Sequence, residues 1–238
     1  MNALELRVAR QVLAGLRPVL AWFSAIVLII FTLLGIGIIL SSDPGNGAAE
    51  IAGAGAVRYF PMAIGIMLTP TMLPMYVAQG VTRRQFARVG VLVTLAFAAL
   101  MALLMCVGYA IEALLYRLGG QTYELGLPHL FDSWNDFALI FTEYVILTAA
   151  SVASGWLIGT MYYRMRWFWA TLLIPVCLVP AAAAELLLQT SWVGSGLEDA
   201  GWTRPPLGMA LPLSLLAVAV AMAATYVLTR NVTIKLKS

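Results

Sequence analysis

Eleven of the fourteen lysines and arginines in this chain fall in alternate gaps between six long apolar stretches. Arg7, Arg10 and Arg17 precede the first stretch, and Arg83, Arg84 and Arg88 fill the second gap. Arg164 and Arg166 fill the fourth, and Arg230, Lys235 and Lys237 follow the last stretch. Arg58, Arg117 and Arg204 lie in or beside the odd gaps, with ten of the eleven acids; only Glu5 stands among the basic clusters. Basic loops are retained on the cytoplasmic side during insertion. The pattern therefore predicts six crossings, both termini inside and three outer loops.

Composition forces the same solvent. Hydrophobic residues make up 62% of the chain and charged residues 11%, against roughly 25% charged in a soluble domain. Such a chain cannot cover itself with polar surface, so its partner is the lipid bilayer. The net charge of +3 belongs to the topology signal and forms no single basic face, which excludes nucleic acid as a partner. Cys106 and Cys177 both lie inside apolar stretches and read as buried fillers, not as a disulfide framework.

A spanning helix needs about 20 apolar residues. Six segments qualify, at about 20–40, 60–77, 89–116, 137–163, 167–188 and 207–228, and together they make one all-α polytopic transmembrane domain over residues 1–238. The run Val19–Leu40 exceeds the 7–15 residues of a signal-peptide core, so it is expected to be a retained first helix. Residues 3–18 place Leu6, Val8, Ala9, Val12, Leu13 and Leu16 on one helical face and Arg7, Arg10 and Arg17 on the other, with Glu5 a misfit. This predicts an amphipathic helix lying in the cytoplasmic interface, apolar side in acyl chains. A plain basic flank anchoring the first crossing is the alternative.

Pro61, Pro70 and Pro74 in the second crossing and Pro175 and Pro180 in the fifth predict kinks, serving either as hinges or simply for packing. Ser151, Gly155 and Gly159 form a small-residue stripe on the fourth crossing, and Gly90, Thr94, Ala98 and Ala102 form one on the third. Such stripes let helix backbones approach closely where lipid offers no hydrophobic drive. They imply packing and no chemistry.

Enzymatic readings fail for want of residues. The only lysines are Lys235 and Lys237 at the tail, so there is no phosphate-binding loop ending in Gly-Lys. A single histidine, His129 in an outer loop, cannot supply an intramembrane metal or haem site. Nor can it pair at depth with a helix serine such as Ser154. Glu112, Glu143 and Glu185 are the ionisable groups nearest membrane depth, where a carboxylate is expensive and marks a candidate polar path. Each also sits near the outer end of its helix, where an interfacial carboxylate reaching water or an arginine is the alternative. Glu143, with Thr142 and Thr148, is the best candidate for a translocation path.

The second gap, Ala78 to Arg88, is the most informative. Gly80 is a natural helix stop, and Thr82 with Gln85 forms a capping-box pattern, so a new helix starts almost at once. That helix is expected to be short and basic, presenting Arg83, Arg84 and Arg88 to the cytoplasm beside an exposed Phe86. Ordinary positive-inside charge with a turn is the bland alternative.

On these residues the chain resembles the membrane subunits of type-2 ATP-binding-cassette exporters, a permease family with many small bacterial members. The resemblance covers the amphipathic N-terminal segment, the six crossings with both ends inside, and Gly80-Val81-Thr82-Arg83-Arg84-Gln85-Phe86. It implies a coupling helix at Gly80–Arg88 that docks on separate ATPase subunits. It also implies an interfacial helix carrying Arg7, Arg10 and Arg17, and short outer helices between crossings five and six, at Gln189–Pro206 with Trp192 and Trp202. On this reading two permease copies, identical or related, enclose the path in the bacterial cytoplasmic membrane. The chain binds no cofactor, and ATP and magnesium sit on the partner. The rivals are a non-transporting six-helix sensor, assembly or immunity protein, and an ion-coupled carrier or channel.

Overall fold

A computed structural model describes residues 3–41, 48–120 and 125–232, and every regular element among them is helical. Six helical segments are long and apolar enough to cross a membrane: Glu5–Gly37, Gly55–Ala78, Arg83–Leu118, Phe137–Arg164, Trp167–Leu188 and Leu207–Arg230. They match the six expected crossings. Lys235 and Lys237 lie outside the described residues, as do the side chains of Arg58 and Trp192.

The first crossing belongs to α1 (Ala3–Ser41), a single helix of 39 residues with Pro18 inside it. No break separates residues 3–18 from the crossing, so the discrete interfacial helix is replaced by one continuous rod. At 1.5 Å per residue it is about 58 Å long, far more than the roughly 30 Å hydrocarbon core, and its basic portion projects beyond the apolar span. Val8, Ala9, Val12 and Leu16 are buried in one cluster with Val81, Phe86 and Val89. That apolar face is covered by protein, where the sequence alone suggested acyl chains.

The second crossing is interrupted at its prolines: α2 (Ala48–Met67) contains Pro61, a π-helical turn at Leu68–Met72 holds Pro70, and α3 (Leu73–Ala78) has Pro74 near its start. The ring nitrogen at Pro70 and Pro74 has no hydrogen to give the ladder, and the widened turn absorbs the mismatch. Then come α4 (Arg83–Leu118) and α5 (Phe137–Arg164). The fifth crossing is also split, into α6 (Trp167–Leu172) and α7 (Ile174–Leu188), with Pro175 at the restart and Pro180 within. The Ala181 amide beside that second proline donates to Ser154 Oγ at 3.2 Å. A nine-residue helix, α8 (Ser191–Asp199), fills the expected stretch between crossings five and six, and α9 (Leu207–Arg230) completes the bundle.

The centre of the bundle is α5, the most buried of the crossings; α1, α7 and α9 are peripheral. The small-residue stripe decides which helix touches it. A Cβ on Gly155 would lie 2.1 Å from the Met62 carbonyl oxygen, and one on Gly159 would lie 2.1 Å from that of Ile66. Only glycine allows α2 and α5 this close. Wholly buried Trp156 lies against Gly90 on the second stripe, and its indole N–H donates to Thr69 Oγ1 at 2.9 Å in the π turn. Cys177 is buried and Cys106 half-buried, both as free thiols.

Candidate functional site

Two polar regions stand at opposite ends of the bundle. At the basic end, α3 stops at Ala78 and Gly80 takes φ +88, a left-handed conformation that glycine adopts without steric cost. Thr82 then caps α4. Its side chain accepts from the Gln85 amide at 3.3 Å, and the Gln85 side chain accepts from the Thr82 amide at 3.0 Å. The capping box and the helix stop are therefore as read from the sequence.

Beyond the cap the chain departs from expectation. No short separate helix forms, because Arg83 begins a continuous 36-residue α4 that runs straight into the third crossing. Phe86 does not protrude either: it is 2% exposed, with its ring centroid 6.1 Å from that of Tyr76. It is the root of the turn, buried in the same apolar core as the packed face of α1. Arg88 is not simply displayed; its guanidinium donates to Glu5 Oε1 at 3.1 Å, and Glu5 is itself 2% exposed. The acid that spoiled the amphipathic pattern of residues 3–18 thus ties the start of α1 to the start of α4.

Arg84 is exposed and Arg83 half-buried, and both line a shallow hollow of about 540 Å³ with Val77, Gly80, Val81 and Thr82. Arg7, Arg10 and Arg17 are exposed on the outer side of α1, opposite its packed face. The result is a hollow with two arginines at its edge and apolar Val77 and Val81 in its lining, backed by buried Phe86 and braced through Arg88 by Glu5. Such a surface can receive an acidic or aromatic projection from a partner.

At the other end, Glu143 is fully buried near the start of α5. Oε1 lies 2.9 Å from His129 Nδ1 and Oε2 accepts the Leu130 amide at 2.8 Å. The Glu143 carboxyl thus bridges the imidazole Nδ1 and a backbone N–H. Tyr109 Oη is 3.5 Å from His129 Nε2 and 3.1 Å from Tyr144 Oη, and Phe131 stacks on the imidazole. Arg204 donates to the His129 carbonyl at 2.7 Å. Glu143 therefore clamps the loop at 125–136 onto the bundle, and a cleft of about 760 Å³ opens above it between that loop, Glu198 and Arg204.

The other members of the expected path do not join it. Thr142 turns its hydroxyl back to the Ala138 carbonyl at 2.7 Å. Thr148 is buried with no partner for its hydroxyl among the described residues, and at about 100° per residue it lies on a different face of α5 from Glu143. Glu112 is fully buried on α4 and Glu185 half-buried on α7. From the sequence His129 reads as a lone loop residue. The available signal was its uniqueness, beside Pro128 and ahead of the best-placed buried acid. No family model matches this sequence, and comparison with characterised proteins and with solved structures returns no match either.

Proposed function

We propose that this chain is the permease subunit of an ATP-driven exporter in a bacterial cytoplasmic membrane, with both termini and the basic end on the cytoplasmic side. Separate ATPase subunits dock at Gly80–Arg88, and a second permease copy, identical or related, completes the translocation path. The observation that carries this reading is the construction of the basic turn: a capped, internally rooted, braced projection with Arg83 and Arg84 turned outward. Charge retention during insertion requires only cations in a loop. It does not require the capping box, the buried Phe86 or the Glu5 brace, which together give a mechanically stiff handle.

The same geometry supports a coupling route. Because α4 is one helix from Arg83 to Leu118, about 54 Å at 1.5 Å per residue, a push at its first turn moves Tyr109 and Glu112 under the outer loop. Through Arg88 and Glu5 the same push reaches α1. ATP-driven closure of the ATPases therefore displaces two crossings together and loosens the outer clamp, a rigid-body switch of access. The test is ATPase stimulation by the reconstituted subunit. Arg83→Glu with Arg84→Glu is expected to abolish stimulation while insertion and stability stay unchanged, and full stimulation by that variant refutes docking there.

One rival gains from a specific observation. Buried Glu112 and Glu143, each on a helix long and apolar enough to cross a membrane, are the kind of ionisable groups that ion-coupled carriers use. Ion flux in liposomes without ATP, lost in Glu143→Gln, identifies that case.

A further inference from the structure

We propose that the face formed by α5, α6, α7 and α9 is a binding site for one anionic phospholipid, with an acyl chain in a groove and the phosphate on Arg164 and Arg166. An apolar groove of about 700 Å³ runs between α5, α7 and α9, floored by Leu157, Met161, Cys177 and Ala221. It spans Leu213 to Leu228 on α9, about 22 Å along the helix axis. One leaflet of hydrocarbon is about 15 Å deep, so the groove takes a whole acyl chain.

Charge distribution selects the headgroup. Leu157, Met161 and Arg164 follow one another at four- and three-residue spacing, so Arg164 caps the α5 side of the groove. Its guanidinium is aimed there by a 2.7 Å bond to the Leu228 carbonyl, also at the groove's end. That bond uses one donor of a group that carries five. Arg166 lines a second apolar hollow of about 540 Å³ with Trp169, Leu172 and Leu173, and its guanidinium has no partner among the described residues.

From that hollow Trp169, Leu172, Val176 and Val179 continue down one side of the fifth crossing at three- and four-residue spacing, all more than half exposed. Val176 and Val179 also line the first groove, so this stripe joins the hollow beside Arg166 to the groove that ends at Arg164. Exposed Trp167 and Trp169 sit at the same level, where aromatic rings mark the headgroup region. Among the described residues the only acid at this end is Glu5, and Arg88 holds it. A phosphate meets no opposing carboxylate, and basic pockets between crossings are where anionic headgroups bind.

The test uses the full chain in nanodiscs of dioleoylphosphatidylcholine and dioleoylphosphatidylglycerol, with retained lipid read by native mass spectrometry. The wild type is expected to retain phosphatidylglycerol over phosphatidylcholine. Arg164→Gln with Arg166→Gln is expected to lower that preference about thirtyfold, the effect of removing two cations near an anionic surface. Ala224→Trp, at an exposed groove position, is expected to expel the lipid with both arginines intact. Equal retention of the two lipids by the wild type overturns the site, and so does full retention in either variant. If Ala224→Trp instead dissociates a dimer and leaves phosphatidylglycerol bound, the groove belongs to a second copy and the inference fails. The experiment needs no ATPase, so it fails or succeeds independently of the transport reading.

Discussion

Replacing Glu143 by leucine keeps the side-chain volume and removes both carboxyl oxygens of the clamp. The change orphans two buried polar groups, His129 Nδ1 and the Leu130 amide. A buried polar group left unpaired costs about 1–3 kcal/mol, and two are affected here. The side chains of Glu143 and His129 are 0% and 1% exposed, so water rescues neither. The expected loss is about 4 kcal/mol, which for a chain of this length lowers the unfolding midpoint by about 8–16 °C. The assay is thermal unfolding of purified protein in detergent, followed by tryptophan fluorescence. A double-mutant cycle with His129→Phe sharpens it. The double variant leaves only the Leu130 amide unpaired, so it is expected to be more stable than Glu143→Leu alone. Losses that add to within about 0.5 kcal/mol in the double variant mean the two residues do not interact, and the clamp is then refuted.

Phe86→Ala is expected to cost about 3–5 kcal/mol as a large-to-small core change, whereas Arg84→Ala stays within about 0.5 kcal/mol; thermal unfolding of the two variants distinguishes a root from a displayed residue. Gly155→Ala forces a methyl against the Met62 carbonyl oxygen and is expected to destabilise by about 1–3 kcal/mol. Gly15→Ala, inside α1 with nothing within 4 Å of its Cβ, is the control in the same melt and is expected to gain up to about 1 kcal/mol from helix propensity. Gly80→Ala places a Cβ at φ +88 and is expected to cost about 1–2 kcal/mol, seen as a lower midpoint; an unchanged midpoint would contradict the left-handed turn.

Much of the fold was legible because its causes are local or one-dimensional. Apolar run length set the six crossings, proline positions set the breaks in the second and fifth, and Thr82 with Gln85 set the start of α4. These depend on hydrogen bonds and dihedrals within a few residues, which spacing along the chain reports directly. The glycine stripe on α5 was equally readable as a place of close approach, since the absence of a Cβ is a property of the residue itself. Its partner, α2, was not.

Pairing across the bundle was decided only by tertiary structure. Residues 3–18 looked like an interfacial helix because helical spacing shows that a face is apolar, not whether lipid or protein covers it. Here α4 covers it, and α1 runs on unbroken. Phe86 reads as exposed because its neighbours are charged, yet it is buried beside Tyr76. Glu5 looked like an error in a pattern until Arg88, 83 residues away, proved to be its partner. His129 and Glu143 are 14 residues apart, joined across a loop whose path no local rule describes. By itself the sequence determined the six segments apolar enough to cross a membrane and, at Thr82, where α4 starts. The tertiary structure decided which charged groups are buried in pairs and which remain outward, because a buried charge persists only with a partner and that partner is chosen in space.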